Sequence, residues 1–193
     1  MRNEIVIAGF GGQGVLLAGI LIAQAAIEQG LHTTWFPSYG AEKRGGTANS
    51  TVIVSSEEIG SPLALNPEAL IILNEPALNK FAPKAAKGAV IITNSSIIAR
   101  EGKKYDSKFY FIPITDIADK EIKNLKTANM VAVGSLIKAL KKRFSDTKEM
   151  KETEEETLTL GSILDACEKV FASKQNLIEI NKKAIQAGYD FIN

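Results

Sequence analysis

Residues Ile5 to Leu17 read IVIAGFGGQGVLL: an apolar run, four glycines within six positions, and a second apolar run. This order is the pattern of a strand, a tight turn and a helix N-terminus. Gly9, Gly11 and Gly14 fit G-x-G-x-x-G, with Gly12 and Gln13 inside the turn. In that motif the first glycine permits the turn and the second lets a pyrophosphate approach the backbone. The third allows close helix–strand packing, and the helix N-terminus offers N–H groups to an anion. A dinucleotide site also needs an acidic residue at the end of the second strand, about 20 residues on, to bind the ribose hydroxyls. Here the second strand ends Trp35-Phe36-Pro37-Ser38, and no basic residue stands in as a partner for a 2′-phosphate. The glycines are therefore a weak case for NAD. They remain compatible with a phosphate or adenylate contact, or with a tight turn beneath a partner surface.

Working outward, short β-branched runs at 4–8, 32–36, 50–54, 69–73, 89–93 and 109–114 read as strands, with Pro67, Pro76 and Gly88 as breakers. Helical patterns fall at 15–29, 76–80, 117–125, 130–143, 162–172 and 176–187. Mostly continuous apolar strands alternating with helices argue for a sheet covered on both faces. The expected fold is α/β: a three-layer α/β/α sandwich, Rossmann-like, with a mainly parallel sheet in a single domain over residues 1–193. The stretch 145–157, SDTKEMKETEEET, carries eight charges and reads as a solvated loop or frayed helix end. The two amphipathic helices after it are expected to pack on the sheet, with Cys167 on their apolar face as core.

The first helix is unusual. From Val15 to Ile27 only Gln24 interrupts the apolar residues, so every face is apolar and needs cover, either from the chain itself or from another subunit. The run is shorter than the roughly 20 residues a membrane span requires. Composition is ordinary: 193 residues, 45% hydrophobic, 23% charged, net charge +1. That gives no global electrostatic case for nucleic acid or membrane. One cysteine, Cys167, cannot form an internal disulfide, nor supply the roughly four ligands of an iron–sulfur cluster. Together with an N-terminus that runs straight into a strand pattern, it points to the cytoplasm.

A second loop, Ser38 to Asn49, reads SYGAEKRGGTAN. It sets Tyr39 and three glycines (Gly40, Gly45, Gly46) around Glu42, Lys43 and Arg44, with Thr47 and Asn49 leading out. Glycines that free the backbone beside fixed charges suit a loop that grips something. A connection after the second strand is expected at the same sheet edge as the glycine turn. Tyr39 and Lys43 match a Tyr-x-x-x-Lys spacing, but the surrounding glycines argue against the long helix that dehydrogenase motif needs. A solvated turn is the plain alternative for the three charges. His32, the only histidine, lacks Cys or carboxylate neighbours in sequence and reads as structural rather than as a metal ligand. No GxSxG, HExxH or Walker lysine is present.

Taken together, IAGFGGQGVLLAG and PSYGAEKRGGTANSTVIVS resemble one family, the gamma subunit of 2-oxoacid:ferredoxin (or acceptor) oxidoreductases. The likeness runs over roughly residues 3–140 and includes NMVAVGSLIKAL at 129–140. The Tyr-Gly-x-Glu-x-Arg-Gly-Gly loop, followed by Thr-Ala-Asn, looks more like the 2-oxoglutarate or broad 2-oxoacid branch than the pyruvate branch, with 2-oxoglutarate favoured. The resemblance implies a non-catalytic subunit of a complex in which a 2-oxoacid and coenzyme A give an acyl-CoA, carbon dioxide and reduced ferredoxin. Thiamine diphosphate, magnesium and iron–sulfur clusters would sit in alpha, beta and ferredoxin-like partners. The gamma chain would complete the assembly, help form the coenzyme A site, and be inactive alone. Its contacts would come from Gly9, Gly11, Gly12, Gln13 and Gly14 of the turn, and from Tyr39, Glu42, Lys43, Arg44, Gly45, Gly46, Thr47 and Asn49 of the loop. Fused pyruvate enzymes of the family have a lysine near coenzyme A shortly after the turn. Ala18-Gly19-Ile20 stands there in this chain, which leaves the second loop as the better candidate. The isolated subunit is a plausible self-associating species. The alternatives are a stand-alone Rossmann-type NAD(P) dehydrogenase, or an assembly scaffold that touches no ligand.

Overall fold

The computed structural model describes residues 2–40, 46–99, 105–146 and 157–193. Six strands form one sheet: β1 (Arg2–Phe10), β2 (His32–Tyr39), β3 (Thr47–Ser55), β4 (Ala69–Ile72), β5 (Ala89–Asn94) and β6 (Ser107–Ile112), in the spatial order β2-β3-β1-β4-β5-β6. The ladders β1–β4, β4–β5 and β5–β6 are parallel, whereas β3 runs antiparallel to both β1 and β2. Five strands thus share one direction, as the sequence pattern implies, and the single reversed strand comes from a β2–β3 hairpin. The hairpin strands are longer than their apolar cores suggested, because pairing continues through polar Ser38, Thr47 and Asn49 up to the loop.

Alternate residues of β1 separate the two faces. Ile5 and Ile7 join a large core under α1 (Val15–Glu28), α4 (Ala128–Asp146), α5 (Leu160–Val170) and α6 (Ile178–Asp190). Val6 and Ala8 join a smaller core under α2 (Glu75–Phe81) and the segment after β5. The sandwich is therefore three-layered but lopsided.

The all-apolar α1 is covered largely by the chain itself. One side lies on β1–β3–β2 and another is packed by α5, so Ala18, Leu21, Ile22, Ala25 and Ala26 have no exposure. Ile20 and Ile27 stay exposed, at 37% and 55%. The expectation that the last two helices lie on the sheet needs correcting. α5 packs on α1 and α6 on α4, making a second helical tier. The reason lies in two glycines. A Cβ at Gly134 of α4 would overlap the Ile185 carbonyl of α6, and one at Gly188 would overlap the Val131 carbonyl. The two backbones touch there, and Ser135 Oγ bonds the Val131 and Gly188 carbonyls at 3.0 and 2.9 Å.

A regular helix over 117–125 is also not what forms. α3 (Ile114–Asp116) continues as a π-helical turn over Ile117–Glu121, and Lys123 follows with φ 58°. Asn124 then caps a 3₁₀ turn (Leu125–Thr127) that leads into α4. Residues 147–156 of the charged stretch lie outside the described residues. Cys167 is buried, and burial pushes its thiol up to about 11, so it is core as expected and not a nucleophile at neutral pH. Among the described residues no helix is long and apolar enough to cross a membrane.

Replacing Gly134 by alanine should force α4 and α6 apart and cost about 3 kcal/mol in denaturant unfolding. Gly161 of α5 has only Thr159 Oγ1 at 3.7 Å near a built Cβ. Gly161→Ala should leave stability within about 1 kcal/mol or raise it. Equal losses would contradict this account of the helix crossing.

Candidate functional site

The glycine turn joins β1 to α1 and is held by its own side chain. Gln13 folds back so that its Oε1 accepts the Phe10 N–H at 2.7 Å and the Asn74 Nδ2 at 3.1 Å. Gln13 N–H bonds the Phe10 carbonyl at 3.1 Å. Gly12 and Gly14 adopt φ 96° and 72°, conformations that favour glycine. Gly14 is the N-cap of α1, and Asn129 at the start of α4 donates to its carbonyl at 3.1 Å. A Cβ at Gly14 would collide with that Asn129 amide.

The second loop meets the turn directly. Gly11 N–H donates to the Gly46 carbonyl at 2.9 Å, and Gly40 N–H to the Thr47 carbonyl at 3.1 Å, closing the hairpin. The two loops share one sheet edge, as expected from sequence. Between them lies a cleft of about 490 Å³, formed by Phe10, Gly11, Gly12 and Gly14 of the turn, Val15 to Leu17 of α1, and Tyr39, Gly40 and Gly46 to Ala48 of the hairpin. Its described walls are mostly apolar side chains and glycine backbone, with the hydroxyl-bearing Tyr39 and Thr47 on the hairpin side. Tyr39, 71% exposed, stands at the rim on the last residue of β2.

Not every candidate converges there. In the β1–β3 ladder Asn49 pairs with Ala8, which faces the α2 core, so Asn49 lies on the sheet face opposite Ala48 and α1. Glu42, Lys43, Arg44 and Gly45 lie outside the described residues. Tyr39 belongs to a strand, which disposes of the helical Tyr-x-x-x-Lys reading.

The hairpin also bears on dinucleotide binding. Because β3 stands between β1 and β2, the end of β2 is about 10 Å from β1 rather than the single-strand spacing of about 5 Å. The ribose-binding position of a dinucleotide fold is displaced as well as unoccupied by an acid. Position 19 is closed to a larger side chain: a Cβ there would overlap Ser50 Oγ, which accepts the Trp35 indole N–H at 2.8 Å.

A smaller cleft of about 250 Å³ opens on the other side of the turn, between Gly12, Gln13, Leu73, Asn94, Thr115 and Lys126. Its amides are engaged internally, since Asn94 donates to Thr115 Oγ1 at 2.7 Å and accepts from the Thr115 and Ser96 N–H groups. Sequence reasoning missed Asn74, Asn94 and Asn129. Asn74 ahead of Glu75-Pro76 carries a helix-cap signal, but its second bond, to a residue 61 positions away, leaves no local trace.

The family model for pyruvate ferredoxin/flavodoxin oxidoreductase matches residues 4–191. The chain belongs to that family. It is 35% identical over 188 residues to the ketoisovalerate oxidoreductase subunit VorA of Methanothermobacter thermautotrophicus, covering 97% of this chain and 36% of the relative. The chain thus spans about a third of the length of that relative. It is 36% identical to the 2-oxoglutarate synthase subunit KorC of Methanocaldococcus jannaschii, over 70% of this chain and 74% of the relative. The solved keto/oxoacid ferredoxin oxidoreductase gamma subunit of Geobacter sulfurreducens superposes with a TM-score of 0.75 at 27% identity, covering 97% of this chain and 96% of that one. The resemblance to gamma subunits and the α/β fold expected from sequence are both borne out, and in this family member the glycine turn and hairpin form one edge.

Gly14→Ala pays left-handed strain and the clash with Asn129, a loss of about 3 kcal/mol in denaturant unfolding. Gly12→Ala pays strain alone, about 1–2 kcal/mol, since nothing lies within 4 Å of a Cβ there. A Gly14→Ala protein no less stable than Gly12→Ala would contradict the packing of Asn129 on the turn.

Proposed function

We propose that this chain is the non-catalytic gamma subunit of a thiamine-diphosphate- and iron–sulfur-dependent 2-oxoacid:ferredoxin oxidoreductase. The complex converts a 2-oxoacid and coenzyme A to acyl-CoA, carbon dioxide and reduced ferredoxin in the reducing cytoplasm. The observation that carries the reading is the end-to-end match: the family model spans residues 4–191, and the Geobacter gamma subunit is covered almost completely in both directions. The single cysteine of this sequence cannot ligate a cluster; in this reading the electron-transfer centres and thiamine diphosphate are held in partner chains. The SYGAEKRGGTAN loop favours 2-oxoglutarate as substrate. Relatives named for ketoisovalerate and for 2-oxoglutarate are both close in sequence, so a substrate panel decides this point.

In this reading the turn and hairpin face the catalytic subunits. The cleft between them has mostly apolar walls, which suit an apolar group of a partner or of coenzyme A's arm. The cationic candidates for phosphates are Lys43 and Arg44, in the chain between Gly40 and Gly46. A free-standing dehydrogenase is disfavoured by the strand inserted between β1 and β2. A pure scaffold differs only in leaving coenzyme A untouched.

The test is co-purification of the tagged chain from its host without oxygen, assayed for 2-oxoacid- and coenzyme A-dependent viologen reduction. The expected product is a complex carrying iron and thiamine diphosphate. In it Arg44→Ala should raise the Michaelis constant for coenzyme A about tenfold, with the 2-oxoacid constant little changed. An inactive lone chain or homo-oligomer would refute the subunit reading, and unchanged coenzyme A kinetics in an active Arg44→Ala complex would favour the scaffold.

A further inference from the structure

Asn74 sits where β4 ends and α2 begins, on the side of β1 away from the hairpin, and it is 3% exposed. Its two amide atoms do different work. Oδ1 accepts the Ala77 N–H at 2.9 Å and caps α2, while Nδ2 donates to Gln13 Oε1 at 3.1 Å. The orientation is fixed by chemistry: an oxygen must face the Ala77 N–H, which leaves only the nitrogen for Gln13. Gln13 must then present its own oxygen, and that oxygen also takes the Phe10 N–H at 2.7 Å. Gln13 Nε2 points toward the Leu73 carbonyl at 3.4 Å. The next N–H along, that of Gly11, is the one that reaches Gly46.

A chain of bonds therefore runs from the cap of α2, through two side-chain amides, into the turn and on to the hairpin. Gln13 Oε1 thus engages the Phe10 N–H within the chain.

We infer that Asn74, acting through Gln13, is a positioning residue for the edge formed by the glycine turn and the hairpin loop. It sets that edge from the opposite side of the central strand. The inference rests on the gamma-subunit reading for its functional consequence and on geometry alone for the clasp.

Asn74→Asp separates the two roles. The carboxylate still accepts the Ala77 N–H, but it offers no donor to Gln13 and sets an oxygen against Oε1. In the isolated chain the Phe10 and Gly11 amides should exchange with solvent about tenfold faster in Asn74→Asp, while Ala77 keeps its protection. Gln13→Ala, the second variant, should give the same pattern. In the assembled complex both should raise the Michaelis constant for coenzyme A about fivefold with the 2-oxoacid constant little changed, and the double variant should be no worse than the worse single. Unchanged exchange at Phe10 and Gly11 in both variants overturns the clasp. Faster exchange with unaltered coenzyme A kinetics in an active complex overturns the positioning role. A wild-type chain that enters no complex counts against the gamma-subunit reading, and the exchange experiment still decides the clasp.

Discussion

The bond from the Gly11 N–H to the Gly46 carbonyl joins two loops more than thirty residues apart, and the candidate edge depends on it. A β1–α1 turn with free amides would be a generic anion site at a helix N-terminus. Here the Phe10 and Gln13 amides are closed internally, and that of Gly11 is given to the hairpin. What remains at the edge is glycine backbone, the first turn of α1, which no side chain caps, Thr47 and Tyr39.

The same economy of side chains recurs wherever backbones must approach. Gly19 lets α1 lie on the Trp35–Ser50 pair of the hairpin, Gly14 admits Asn129, and Gly134 and Gly188 let α4 and α6 touch. These contacts are linked: α4 carries Asn129 to the turn and Gly134 to α6, while α5 covers the apolar α1. Burial contributes about 1.5–3 kcal/mol for each fully enclosed leucine or isoleucine of α1, such as Leu21 and Ile22. The half-exposed Ile20 and Ile27 are what the chain leaves uncovered.

Much of the architecture is legible in the sequence because strands and helices here follow hydrophobic periodicity. The β1–turn–α1 unit, the six strands and the core position of Cys167 all come from local pattern. The reversed direction of β3 does not, since strands read at 32–36 and 50–54 leave a connection long enough for either a hairpin or a crossover, and only the pairing of Ser38, Thr47 and Asn49 shortens it. The irregular stretch after Pro113 reads as a helix because its apolar spacing is helical, while Lys123 and Asn124 end it through backbone geometry that periodicity does not encode. For the edge, the turn and hairpin residues were legible as motifs. Asn74 and Asn129 were not, since each acts on the turn from more than sixty residues away through a single amide.

The central claim is that the edge built by the glycine turn and hairpin is the face this subunit turns toward its partners. The most direct test is hydrogen–deuterium exchange of the chain alone and within the purified complex. The account predicts new protection over residues 10–17 and 39–48, with little change across α5 and α6. Protection gained on α5 and α6 while the turn and hairpin exchange as in the free chain would contradict it.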